Sequence, residues 1–267
     1  MKQIKVFPFA VIFILSALSI KAQDRQLART YQSTVQPKGG FDIEFWNTLH
    51  TGRNYFYTQL DQRLEFEYGV TDKFQSALYL NATHSAVGSK DTSFSGIIKK
   101  SEFSFSNELK WQVLNPSANI VGLGFYTEYT IGSSGGELEG KIILDKRTEK
   151  NIFAYNAVGE YEMNWNVMKG KTEIDRELTL ENDLGFMHLF KPTFGLGIEA
   201  SNQNVFVNNK LQYAVVYAGP TLYLSTGNHY VMLNIFPQLT NLAGNDQPLE
   251  LNDREKIEIR LFVGYSK

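Results

Sequence analysis

The chain has 267 residues, no cysteine, and 28 acidic against 26 basic residues, a net charge of −2. The missing thiols exclude disulfides, thiol catalysis, thiolate-bound metals and an acylated N-terminal cysteine. The charge balance offers no basic patch for nucleic acid, and the length suits one compact domain or one barrel.

The first residues carry Lys2 and Lys5, then an apolar run over 6–20, then Lys21-Ala22-Gln23-Asp24. A charged start, a short apolar core and a small residue at the exit predict a secretory signal peptide over 1–22. The run falls short of the ~20 residues of a spanning helix. Cleavage after Ala22 removes three lysines and leaves a more acidic chain. No later stretch reads as a transmembrane helix, so any membrane crossing must be made by strands closed into a barrel. Residues 23–40 are assigned as a periplasmic N-terminal segment and 41–267 as the barrel.

From residue 41 the period is two. Phe41, Ile43 and Phe45 alternate with Asp42 and Glu44; Leu60, Leu64, Phe66 and Tyr68 alternate with Asp61, Arg63, Glu65 and Glu67. A weaker strand covers 74–83. The clearest strand is 102–114: Phe103, Phe105, Leu109, Trp111 and Val113 share one parity, interrupted by Asn107, with Glu102, Ser104, Ser106, Glu108, Lys110 and Gln112 on the other. Side chains alternate across a strand, so such a segment has an oily and a wet face. The pattern recurs over 121–129, 153–165, 177–186 and 257–265, with weaker strands at 138–146, 193–201, 210–225 and 229–239. That makes twelve. Segment 229–239 is apolar on both parities, so cover on both sides is expected, and Gly219-Pro220 predicts a bend or bulge.

Tight turns at 70–73, 115–119, 147–150, 191–192 and 226–228 alternate with longer polar connections at 49–58, 84–100, 132–137, 166–173, 202–209 and 240–254. Short periplasmic turns alternating with longer outer loops are the pattern of a transmembrane antiparallel up-and-down β-barrel. Aromatics near strand ends, including Phe45, Trp46, Tyr57, Tyr68, Tyr129, Trp165 and Phe190, suit its two interface girdles. A soluble sandwich also alternates, but its connections need not alternate in length.

Leu64-Glu-Phe-Glu-Tyr-Gly-Val-Thr-Asp-Lys-Phe74 with Leu78-Tyr-Leu-Asn81, and Glu108-Leu-Lys-Trp-Gln-Val-Leu-Asn-Pro116 with Val121-Gly-Leu-Gly-Phe125, resemble successive hairpins of an uncharacterised family of Gram-negative outer-membrane β-barrels, transporter-like in kind. The resemblance spans roughly residues 40–265. It implies a fold and an outer-membrane location, and no catalytic residues. Many such barrels end in a terminal aromatic; here the last residues are Tyr265-Ser266-Lys267.

With the oily parity toward lipid, the wet parity lines the lumen. It carries an acidic cluster of Glu65, Glu67, Glu108, Glu128, Glu160, Glu162, Glu177, Glu181, Asp183 and Glu199, joined by Asp42, Glu44, Asp61, Glu102, Glu139 and Glu258. Only Arg63, Lys110, Lys141 and Arg260 oppose them. Three outcomes are open: a hydrated lumen that favours cations, protonation of crowded carboxyls, or basic loop residues folding inward to pair with them. Glu160/Glu162 and Glu181/Asp183 each lie within reach of one hard cation, a spacing that period-two patterning also produces. Gly122-x-Gly124 and Gly195-x-Gly197 lack a strand-to-helix context for phosphate and read as close packing or a bend in the wall. The four histidines are scattered, and His84-Ser85 lacks the motif of outer-membrane phospholipases.

These features predict a non-enzymatic channel or binding barrel for small polar or cationic solutes in the outer membrane. Its contacts are outer-membrane lipids, with no cofactor and no metal. The alternatives are an enzyme acting on lipid or lipopolysaccharide, and a structural or surface-interaction barrel whose loops 84–100 and 240–254 meet a partner.

Overall fold

The computed structural model describes residues 25–88, 96–168, 171–244 and 247–267. The predicted signal peptide lies outside them. Twelve strands follow in order: β1 (Phe41–Thr51), β2 (Tyr57–Thr71), β3 (Phe74–Gly88), β4 (Ile97–Leu114), β5 (Gly122–Gly132), β6 (Gly135–Arg147), β7 (Asn151–Met168), β8 (Lys171–Lys191), β9 (Phe194–Val207), β10 (Lys210–Thr226), β11 (His229–Asn241) and β12 (Ile257–Ser266). Each pairs antiparallel with its sequence neighbours, and β1 pairs with β12, Asp42 opposite Ser266 through Thr51 opposite Ile257. The sheet therefore closes and has no edge. A backbone ladder that satisfies itself around the ring is what lipid demands of strands.

The outer wall is apolar. Ile43, Phe45, Phe66, Leu80, Phe103, Trp111, Phe125, Phe153, Leu184, Ile198 and Leu261 all face outward, with Leu80 61 % and Phe103 66 % exposed. Such a surface is costly in water and neutral against lipid tails. Asn107, the break in the oily parity of β4, is satisfied on that wall: its amide donates to the Ser76 hydroxyl at 3.0 Å and the Ala77 carbonyl at 2.8 Å.

Several strands outrun their apolar bands. The connection expected at 202–209 shrinks to Asn208 and Asn209, both at positive φ (50° and 64°), a two-residue hairpin turn. The one expected at 132–137 shrinks to Ser133 and Ser134. Past the membrane both faces are polar, so alternation disappears although the ladder continues: the Gln203 and Asn204 side chains bond Glu181 and the Leu180 carbonyl across the β8–β9 pair. The bulge expected at Gly219-Pro220 falls at Val216/Tyr217. Gly219 itself permits close approach, since a Cβ there would strike the Ile235 carbonyl.

Two aromatics placed in the lipid girdles point inward instead. Trp46 and Tyr57 are buried, and Trp46 packs on Phe262 with ring centroids 4.7 Å apart. Trp46 belongs to an apolar core inside the barrel, with Leu27, Ala28, Tyr31, Tyr126, Ile143, Ile152, Met187, Tyr223, Tyr230 and Met232, whereas Tyr57 carries the Arg53 guanidinium over its ring at 3.6 Å. This core, with a second cluster of Val205, Tyr213, Val215, Tyr217 and Phe236, explains the double-sided pattern of β11. Its Val231, Leu233 and Ile235 face lipid, and its Tyr230, Met232 and Phe236 face packed protein.

Candidate functional site

The inner core exists because the chain before β1 runs inside the barrel. The segment assigned to the periplasmic side enters the lumen at the end that carries the short turns. Residues 25–28 and 30–33 are buried there. Each sector of the wall holds it. The Glu199 carboxylate accepts the backbone N–H groups of Ala28, Arg29 and Thr30 at 2.9, 2.8 and 2.7 Å, and the Thr221 hydroxyl at 2.6 Å. Asn156 pairs with Tyr31 like a strand residue, accepting its N–H at 2.6 Å and donating to its carbonyl at 2.9 Å. The Ser33 hydroxyl donates to Asp145 at 2.6 Å, the Gln36 N–H to Gln75 at 2.8 Å, and Arg147 to Gln26 at 2.8 Å. Arg25 lies over Tyr31 at 4.1 Å and Trp46 at 4.5 Å, cation on aromatic face. The wall is cut back to admit the segment: a Cβ on Gly124 would lie 3.1 Å from that of Ser33, and one on Gly185 2.6 Å from the Leu27 methyl. The Gly122-x-Gly124 pair is thus close packing, and no phosphate loop.

Above this floor, toward the other end, lies a polar cavity of about 640 Å³. Glu137, Glu139, Glu160, Glu162, Glu181 and Asp183 line it from β6, β7 and β8. His50, Arg63 and Arg260 line it from β1, β2 and β12. Arg29 rises from the floor, and Arg53 and Arg254 enter from the connections 52–56 and 242–256. In a ring of twelve strands, β7 is diametrically opposite β1, β8 opposite β2 and β6 opposite β12. Acidic and basic walls therefore face each other across the lumen.

Of the three outcomes open for the lumen acids, inward pairing with loop cations is realised on one side. Arg29 meets Glu258 at 2.6 Å, Arg53 meets Glu255 at 3.2 Å and Arg254 meets Glu258 at 3.2 Å. His50 bridges Asp61 at 2.8 Å and Glu255 at 2.7 Å. Residues 247–256 are folded in through Gln238, which donates to the Glu250 and Glu255 carbonyls, and through the Tyr217 hydroxyl. Burial pushes the Glu255 carboxyl up, but the His50 hydrogen bond and the charges of Arg254 and Arg53 outweigh it and hold the group well below the usual carboxylate range. On the opposite wall, Lys141 pairs with Glu139 at 2.7 Å. No cation among the described residues lies within ion-pair distance of Glu137, Glu160, Glu162, Glu181 or Asp183.

The ten acids of the predicted cluster thus separate into distinct places. Glu160, Glu162, Glu181 and Asp183 share the cavity. Glu177 is half-buried opposite Glu162 at the rim. Glu128 is buried and takes Arg63 through both Nη nitrogens at 2.9 and 3.3 Å. Glu65, Glu67 and Glu108 are buried in the packed half, Glu108 accepting from the Tyr79 hydroxyl and Gln75. Glu199 anchors the N-terminal segment. The arginines outside the strands, Arg29, Arg53 and Arg254, were not foreseen as cavity residues. Period-two reading has no access to a side chain that arrives from irregular backbone. Among the described residues, two groups have ligand atoms within 4.8 Å of one another, His50/Glu255/Glu258 and Asp42/Glu44/Glu67. The first is already consumed by its arginine and histidine pairs.

On the outer wall, His84 does not engage Ser85. Its Nδ1 lies 2.9 Å from the Ser101 hydroxyl across the β3–β4 ladder, both residues exposed on the lipid-facing parity.

A closed antiparallel barrel with an oily outside, an even strand number and a charged lumen is a transmembrane β-barrel of the outer-membrane type. The chain belongs to the family of unknown function DUF6662, whose pattern it matches over residues 19–266. No functionally curated protein matches it. Its fold is similar to the COG4313 outer membrane channel from Pseudomonas putida F1, at 14 % identity and TM-score 0.65 over 88 % of this chain and 98 % of that one. It is also similar to the β domain of the Bordetella autotransporter BrkA (12 %, 0.54, 86 % and 98 %) and to the NanC porin (11 %, 0.53, 84 % and 98 %).

Proposed function

We propose that this protein resides in the outer membrane and performs no chemistry of its own. It takes small polar, preferentially cationic solutes into the cavity at its loop end, while residues 25–36 close the periplasmic half. The observation that carries this reading is the unpaired acidic wall: five carboxylates facing a cavity of about 640 Å³, within the ~300–1,000 Å³ range of small-molecule sites. Carboxylates with no cation beside them remain charged only in water, and a charged, hydrated recess concentrates counter-ions. The chemistry of the floor supports a closed resting state. The structural neighbours whose names say channel or porin agree with the reading, and supply the fold alone.

The test is current across a planar bilayer under a salt gradient. The intact barrel is expected to conduct little, and a barrel lacking residues 25–36 to conduct with cation selectivity. Glu160→Gln, Glu162→Gln, Glu181→Gln and Asp183→Asn together are expected to abolish that selectivity in the opened barrel. A folded, opened barrel that prefers anions contradicts the proposal.

One observation favours a second reading, a lipid-modifying enzyme: the His84–Ser101 pair on the outer wall. A hydroxyl beside an imidazole is the start of a nucleophile–base pair, but no carboxylate or amide among the described residues orients the ring. Labelling by a fluorophosphonate that is lost in Ser101→Ala would move the assignment to this site.

A further inference from the structure

The cavity is polarised across its width, and that sets a requirement on its ligand. The acidic wall on β6–β8 has the five carboxylates without ion pairs named above. The facing wall has cationic capacity left over. Arg260 has no carboxylate within ion-pair distance among the described residues; its guanidinium bonds the Thr48 hydroxyl at 3.0 Å and the Ala28 carbonyl at 3.2 Å and lies over the Trp46 ring at 5.3 Å. Arg29, with a side chain 10 % exposed, leaves its Nη2 without a hydrogen-bond partner after serving Glu258 and Asn234. Arg254 leaves its Nε without one. Buried guanidinium donors are costly to leave unmade, and a guanidinium is shaped to take an oxyanion through two parallel bonds.

A simple cation satisfies one wall and leaves the other as it was. A simple anion meets the arginines but faces the carboxylates across the lumen. A molecule with an ammonium group at one end and a carboxylate or similar oxyanion at the other compensates both walls together and aligns its dipole with the field between them. We propose that the cavity selects small zwitterions, the ammonium group on the Glu137/Glu160/Glu181 wall and the oxyanion on Arg29 and Arg260. This rests on the reading of the cavity as a solute site and narrows it from polar and cationic solutes to one charge pattern.

The experiment is calorimetric titration of the refolded full barrel with three probes of one chain length: 5-aminopentanoate (both charges), 5-amino-1-pentanol (cation only) and 5-hydroxypentanoate (anion only). The zwitterion is expected to bind at least tenfold more tightly than either of the others. Arg260→Gln is expected to reduce it to the affinity of the amino alcohol without changing the latter, Arg260→Lys to retain the advantage, and Glu160→Gln to weaken both amine probes. The comparison of probes on the unaltered protein decides the question even if a variant fails to fold. Amino alcohol and zwitterion binding equally overturns the inference and leaves the proposed function standing. A hydroxy acid that matches the zwitterion overturns the inference as well, and with it the preference for cations in the proposed function. No binding of any probe to a folded barrel overturns the proposed function and this inference with it.

Discussion

The two halves of the lumen are built from the same strands and the same inward parity, yet they are different kinds of interior. At the turn end, inward side chains pack on residues 25–36 and form a protein core, with Tyr79, Ile143, Met187, Met232 and Phe262 fully buried. At the loop end, inward side chains of the same strands line a water-accessible cavity, beside a smaller packed cluster of Val205, Tyr213, Val215, Tyr217 and Phe236. In the packed half, polar side chains of the wall bond to the inner segment, as Glu199 does to three backbone N–H groups, with the Thr221 hydroxyl beside them. In the open half Glu137, Glu160, Glu162, Glu181 and Asp183 face the cavity and have no ion pair among the described residues. Inward orientation in a barrel is thus no guide to burial; the occupant of the lumen decides it.

The largest expected effect that separates the halves is a core truncation. Phe262→Ala removes a ring that packs on Trp46 and Tyr230 and is expected to cost about 3–5 kcal/mol. Thr83→Ala, at the cavity, removes a 2.8 Å bond to Asp61 and is expected to cost about 1 kcal/mol or less. Denaturant unfolding in detergent measures both, and equal costs would erase the distinction.

Glu199→Leu is the next in size. It strands three backbone N–H groups, each worth about 1–3 kcal/mol if left buried and unpaired. The segment can relieve this by leaving for water, so the barrel is expected to stay folded while residues 25–36 are released. Faster hydrogen exchange confined to that segment, with higher bilayer conductance, is the expected readout. Global unfolding would show that segment and wall are one cooperative unit.

The smallest effect concerns the connection 242–256. Glu255 has a depressed folded pKa, so its contribution is present above the unfolded value of about 4.3 and is lost as pH falls through the folded value. Trypsin cleavage after Arg254 and Lys256 is therefore expected to stay slow from neutral pH down to the ordinary carboxylate range. Hydrogen exchange, which can be followed at lower pH, is expected to rise in this connection only below that range. Loosening near pH 6 would assign the hold on this connection to another group.

How far the sequence could be read follows from the range of each cause. Strand identity is local. The alternation of Phe103, Phe105, Leu109, Trp111 and Val113 with charged neighbours needs only the pleat, and the twelve strands and their oily faces were legible from it. Strand ends were not. Beyond the apolar band, residues such as Gln203 and Asn204 are polar on both faces and carry no period. The acids of the lumen were legible as inward-facing, but their fates were not, because Glu199, Glu128 and Glu160 present the same local pattern. Clues to the floor did exist: lumen-facing glycines at 124 and 185 and inward apolar residues on β11 make sense only against something packed inside.

The sequence by itself determined a period-two chain of twelve strands with an oily outside and an acidic inside, since side-chain alternation is a property of each strand alone. Only the tertiary structure decided that residues 25–36 occupy half the lumen, that Arg29, Arg53 and Arg254 reach the cavity from irregular backbone, and that β6–β8 face β12, β1 and β2. Those facts depend on closing the ring, which brings together residues more than a hundred positions apart, and no local pattern encodes which of them will meet.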